Sequence, residues 1–260
     1  VVVLVYEVKK HIGHISECEM TKSDIMIKKT KRRASRPLMF NESAFIVRMI
    51  NTENPIDVLR YQELRYRLRV EKYQWAEAPE SGKKLEYDKY DPFSIPFGVF
   101  TEDGELQACS RLILPSDKAG LQIFNEFRDD LYPDFIPAWK SASSAEVSSL
   151  LVSDSFRHPH RNSYPVAQWL YKAMGQWSIS NRVRYWYAVA EKRFLRALGF
   201  QGFPFKIIGE GKHYKGALTY PAVLDLEQAY ANLMKREGDV YKWFLEGLDF
   251  RGKGDPPKIL

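Results

Sequence analysis

Residues 106–114 read LQACSRLIL, an apolar strand-forming run with Arg111 in its interior. A guanidinium inside a sheet is costly unless it is paired, so the fold must bring carboxylates to that arginine. Three stand nearby, Glu86, Asp88 and Asp91. They precede a second β-rich run holding Phe93, Ile95, Phe97, Val99 and Phe100. Between the two runs lies Glu102-Asp103-Gly104-Glu105, and Asp-Gly favours the positive φ angles of a tight hairpin turn. Residues 86–115 therefore predict a hairpin that forms one wall of a polar site built on a sheet.

Composition narrows the class. The 260 residues suit one large domain with appendages, and 45% hydrophobic with 28% charged residues suits a soluble chain with a sizeable core. No apolar run approaches the ~20 residues of a membrane helix. The opening VVVLVYEV lacks the basic flank of a signal peptide, so a cytoplasmic protein without an integral membrane segment is expected. Cys18 and Cys109 are far apart and predict free thiols in a reducing compartment. A net charge of +6 suits an acidic partner: nucleic acid, a peripheral contact with anionic lipid, or an acidic carrier protein.

Residues 1–40 form a basic segment without apolar periodicity, expected to be flexible and solvated. The compact domain is expected over 41–250, with a loose tail at 251–260. A strand is predicted over 44–50. Asn54-Pro55 opens a helix with Val58, Tyr61, Leu64 and Leu68 on one face, and Arg60, Arg65, Arg67 and Arg69 lie on that same helix. Trp75 falls in the loop that follows. After the hairpin, an aromatic connection over 116–144 leads to a strand beginning at Glu146. That strand ends in a basic turn with Arg157, His158, His160 and Arg161, and a helix follows from Pro165. Strand, basic turn and helix make a natural anion site, because helix N-termini offer free N–H groups. Strands at 183–189 and 215–224, strand character at 200–208, a short helix stopped by Gly199 and a C-terminal helix from Leu226 complete a mixed α/β order around one sheet. The histidine pairs His11/His14 and His158/His160 lack further ligands, so no metal site is expected.

This order resembles the GNAT acyltransferase fold, a central mixed sheet flanked by helices. The resemblance sharpens to the acyl-homoserine-lactone (autoinducer) synthases. Those enzymes carry an Arg, a Trp ten residues later, an E-x-D-x-x-D cluster, an Arg twenty residues on, and a Glu opening a later strand. Here these positions are Arg65, Trp75, Glu86, Asp88, Asp91, Arg111 and Glu146. Two positions differ: Arg69 stands where that family has an aromatic, and Ser149 where it has an arginine. The E-Y-D-x-Y-D form at 86–91, the V-S-x-x-F-R turn at 152–157 and the W-Y-A-V strand at 186–189 are similar to N-acyl amino acid synthases and PEP-CTERM/exosortase-associated acyltransferases.

The resemblance covers about residues 45–245 and implies transfer of a long-chain acyl group from an acyl-carrier-protein thioester to the amine of an amino acid, with tyrosine a candidate. No bound cofactor is implied. Glu146 is the implied base, with Glu86, Asp88, Asp91, Arg65 and Arg111 as the ion-pair cluster of the site. Trp75, Phe93, Ser149 and Val152 are assigned to substrate and acyl binding. Arg157, His158, His160 and Arg161 are assigned to docking the carrier protein and its phosphopantetheine. The alternatives are a lactone synthase using S-adenosylmethionine, a short-chain enzyme using acetyl-CoA, and a non-catalytic binding module. Nucleic acid is not an expected partner of the acyltransferase.

Overall fold

Alternating and β-branched runs pair into one eight-stranded sheet. The computed structural model describes residues 45–135, 143–156 and 166–246, with two short strands beyond them. β1 (Phe45–Met49) forms one edge. It is followed by α1 (Pro55–Arg65), where the Asn54 side chain caps the helix by accepting the Ile56 N–H at 3.0 Å and Pro55 starts the first turn. The helix then widens to π geometry over Tyr66–Lys72, and the Tyr73 N–H reaches back five residues to the Leu68 carbonyl at 3.0 Å. Such widenings cluster at functional sites.

β2 (Ser94–Thr101) and β3 (Leu106–Ile113) form the expected hairpin, with Gly104 in the turn at φ +85°. The long connection contains α2 (Gln122–Glu126), and its Phe124 and Phe127 are buried. β4 (Ser144–Val152) starts two residues earlier than expected and runs antiparallel to β3. α3 (Val166–Ser180) carries the chain to β5 (Tyr185–Ala190), which is parallel to β4. Then come α4 (Lys192–Phe200), β6 (Lys206–Ile207), β7 (Lys212–Tyr214), β8 (Ala217–Asp225), α5 (Leu226–Met234) and α6 (Asp239–Leu245). The sheet order is β1-β2-β3-β4-β5-β8-β6, with β7 also on β8.

Because side chains alternate across a strand, the sheet buries two faces. One face packs Leu112, Val147 and Trp186 against α3, α4, α5 and the Trp243-Phe244 pair of α6. The other packs Phe100, Cys109 and Leu151 against Tyr61, Leu64 and Leu68 of α1, and Ile113, Tyr187 and Val189 against the α2 segment. Among the described residues no helix is long and apolar enough to cross a membrane.

Four local expectations are corrected. Gly199 lies inside α4, and the positive-φ residue that follows the helix is Gly202, at +105°. The strand character of 200–208 shrinks to two residues, because Phe203 turns into the core beside Pro204. β7 and β8 form an unexpected hairpin. In the expected loose tail, Lys258–Ile259 pairs with Leu248–Asp249.

Candidate active site

Arg111, the arginine inside the apolar strand, is fully buried and paired. Arg111 on β3 binds Asp88 with both terminal nitrogens, Nη1 to Oδ1 at 2.8 Å and Nη2 to Oδ2 at 2.6 Å. Its Nη1 also meets Asp91 Oδ1 at 2.9 Å. Arg65, the last residue of α1, is equally buried. It contacts Glu86 through Nε and Asp91 through Nη1, with Asp88 Oδ2 at 3.4 Å from Nη2. Backbone bonds hold the acidic loop in shape: Asp91 accepts the Asp88 N–H at 2.7 Å, and Asp88 accepts the Tyr90 N–H at 3.0 Å.

Arg69, a departure from the family pattern in the sequence, is a sixth member of this cluster. It is 5% exposed and its Nη1 lies 2.6 Å from Glu86 Oε1. The signal that could have found it is its spacing: four residues after Arg65, on the same side of a helix. Burial opposes the charge on Asp88, but the Arg111 hydrogen bonds and the charges of Arg111, Arg65 and Arg69 hold its pKa well below the usual carboxylate range. Burial also opposes the charge on Arg65, and Tyr61, Glu86, Asp91 and Asp88 more than offset it, keeping its pKa above the ordinary value. Asp88 and Arg65 are thereby held in their charged forms, while burial lowers the Arg69 pKa from its ordinary value.

Glu146 lies on β4 two positions before Ser148, which opposes Arg111 in register. Alternation puts all three side chains on the same sheet face. Glu146 is 0% exposed. Its Oε2 accepts the Ile123 N–H at 2.9 Å from α2, while Oε1 has no hydrogen-bond partner among the described residues. Burial pushes its pKa up to about 7, against the pull of the Ile123 N–H and the Arg111 charge.

β4 is bent just beyond. The register to β3 shifts between Cys109 and Arg111, and Ser149 takes a φ of +56°. Ser149 is buried, its Oγ 3.4 Å from Ser148 Oγ. β4 pairs with β5 only over residues 144–146, although both strands continue. Past Glu146 the strands part. On the α3 side of that parting lies an apolar cleft lined by Val147, Tyr171, Trp186, Phe194, Leu195 and Phe203.

The other expected residues are more scattered. Trp75 stacks on Tyr73 with ring centres 4.4 Å apart, beside the π-helical turn. Phe93 is half-buried in the turn just before β2, and Val152 is buried at the end of β4. Arg157, His158, His160 and Arg161 lie outside the described residues. Two further side chains at the site carried no sequence signal. Gln122 donates from Nε2 to the Tyr214 hydroxyl at 3.0 Å. Lys215 sits in the β7–β8 turn.

Known structures share this architecture. The crystal structure of TofI in a ternary complex with an inhibitor and MTA covers 72% of this chain and 95% of its own, at 21% identity and a TM-score of 0.56. BjaI, a CoA-dependent acyl-homoserine lactone synthase solved with SAM and isopentyl-CoA, covers 77% of this chain and 98% of its own, at 18% identity and a TM-score of 0.58. FeeM, an N-acyl amino acid synthase from uncultured soil microbes, covers 72% of this chain and 95% of its own, at 17% identity and a TM-score of 0.49. Comparison with curated protein sequences finds no match. TofI and BjaI show the same GNAT-like fold. The sequence model of the autoinducer synthase family matches residues 51–234, a span that holds well over half of the chain, the whole cluster and Glu146, and the chain therefore belongs to that family of acyltransferase enzymes.

Proposed function

We propose that the protein moves a long-chain fatty acyl group from acyl-carrier protein to the amine of an amino acid, giving an N-acyl amino acid. The observation that carries this reading is a paired exchange. Where the lactone synthases resembled in the sequence keep an aromatic, Arg69 adds a guanidinium to Glu86 at 2.6 Å. Where they keep an arginine on β4, Ser149 leaves a small hydroxyl beside Ser148. The exchange moves a cation away from the strand that bears Glu146. It leaves that carboxyl near neutrality and the adjoining floor lined by two serines, which suits an acceptor other than S-adenosylmethionine.

The chemistry follows from these groups. Glu146, with a pKa of about 7, takes a proton from the acceptor ammonium directly or through water. The amine then attacks the thioester carbonyl: a carbon–nitrogen bond forms, the carbon–sulfur bond breaks, the nitrogen gives its second proton to the departing thiolate, and Glu146 passes the first to water. Backbone N–H groups of β4 past Glu146, where β5 has parted from it, are assigned to the oxyanion. The acyl chain is assigned to the apolar cleft beneath that parting, whose walls must move aside to admit it because the cleft holds only about 20 Å³ of open space. Glu86, Asp88, Asp91, Arg65, Arg69 and Arg111 hold the acidic loop as a rigid wall. Arg157, His158, His160 and Arg161 are proposed to dock the acidic carrier protein, because arginine pairs with phosphate through two bonds.

A second reading, lactone synthesis from S-adenosylmethionine, is favoured by the family match itself. Mass spectrometry of lipid extracts from bacteria expressing the chain separates the two. Fatty acyl plus amino acid masses, absent with Glu146→Gln, are expected. Acyl-homoserine lactones with release of methylthioadenosine would overturn the amino acid reading.

A further inference from the structure

The β7–β8 turn holds a cation that the acid–arginine cluster does not use. Tyr214 opposes Ala217 in register, so Lys215 and Gly216 are the two turn residues, at φ +51° and +81°. Turns of this kind favour Asn, Asp or Gly at both places, and a lysine held in left-handed backbone carries a conformational cost. The hairpin would form more easily with asparagine, so the lysine is not explained by folding. Its side chain is half-buried, with Nζ 5.4 Å from the centre of the Tyr214 ring. The Tyr214 hydroxyl accepts from Gln122 at 3.0 Å, and the residue after Gln122 donates its N–H to Glu146 at 2.9 Å. Two side chains thus connect Lys215 to the pocket of the base.

The electrostatics agree with that placement. Burial and the Arg69 charge lower the Lys215 pKa to about 8, while Asp88, Glu86 and Glu126 act in the opposite direction. The ammonium therefore lies within the field of the cluster, yet it forms no ion pair among the described residues. Every guanidinium of the cluster is already committed to its acids. We infer that Lys215 receives the carboxylate of the acceptor and so selects amino acids over simple amines, an inference that rests on the acyl-to-amine reading above.

The test compares each acceptor with its carboxylate-free partner: L-tyrosine with tyramine, L-phenylalanine with phenethylamine, and L-leucine with isoamylamine. Wild type is expected to prefer the amino acids. Losing one charged hydrogen bond should cut that preference about 10–100-fold in Lys215→Met, chiefly through KM, with most of it kept in Lys215→Arg. An unchanged preference in Lys215→Met would overturn the assignment. So would equal loss of kcat in both variants, which would mean proton transfer rather than carboxylate binding. If wild type acylates no amine, the reading above fails, and a second readout then decides Lys215 separately. In 13C-dimethylated protein, the lysine signal missing from Lys215→Arg should shift with the three amino acids and not with the three amines. No shift, or the same shift with both, would overturn it.

Discussion

Two sets of buried charge share one face of the sheet and are handled in opposite ways. In the acid–arginine cluster every carboxylate meets guanidinium nitrogens, and Arg65 and Arg111 are both 0% exposed. Glu146 is buried as completely, yet it accepts the Ile123 N–H on one oxygen and, among the described residues, nothing on the other. Pairing fixes Asp88 in its ionised state: its pKa lies far below neutrality, so it exchanges no proton at working pH. Isolation does the reverse for Glu146, whose pKa of about 7 lets it take and return a proton at little cost. A buried charge can therefore serve as scaffold or as reagent, and the number of partners decides which.

Breaking the scaffold should give the largest effect. Arg111→Met leaves Asp88 and Asp91 each short of a partner inside the protein, which should cost about 3–5 kcal/mol of stability. Chemical denaturation reads it, and activity should vanish along with the fold. A variant that keeps wild-type stability would mean that water reaches the cluster freely.

The reagent should respond differently. Glu146→Gln should lower kcat about 10²–10⁴-fold while leaving the fold intact. The two sites also predict opposite stability slopes. Asp88 has a depressed folded pKa, so its contribution is present above about pH 4 and is lost as pH falls through the folded value. Glu146 has a raised folded pKa, so its contribution is full below about pH 4 and is lost as pH rises through about 7. Removing Glu146 should therefore stabilise the protein above neutrality by at most on the order of 3 kcal/mol, and leave the acid limb of the curve unchanged. Denaturation midpoints at pH 5 and pH 8 check the sign. A Glu146→Gln variant with full activity would remove the proton-transfer role.

What could be read from the residues follows the same division. The cluster was legible because an arginine within an apolar strand demands acids, and Glu86, Asp88 and Asp91 were the obvious supply. The hairpin was legible from Asp103-Gly104. Arg69 was less so: on a helix, four arginines within ten residues look alike, and only packing shows that Arg65 and Arg69 turn inward while Arg67 is exposed. The bend at Ser149 and the parting of β4 from β5 left no trace, because both depend on how neighbouring strands meet. Lys215 escaped notice for a related reason. Read as the first residue of a strand, it would lie along a sheet; as a turn residue, it sits half-buried where the charges of Arg69, Asp88 and Glu86 act on it.

Arg69 offers the finest test of the contrast, because its loss should weaken the scaffold without breaking it. Arg69→Phe restores the aromatic of the lactone-forming relatives and removes one of two partners from Glu86, which keeps Arg65. Losing one charged hydrogen bond of this kind should cost about 1–3 kcal/mol, less than Arg111→Met. Thermal unfolding reads the difference between the two variants. If the cluster only holds the loop, the preference among acceptor amines should stay as in wild type. If Arg69 shapes the acceptor pocket, the preference should change while Glu146-dependent proton transfer, read from the pH dependence of kcat, keeps its midpoint. A shift in that midpoint would show that scaffold and reagent are coupled through Arg69, and that the two kinds of buried charge are less independent than their partners suggest.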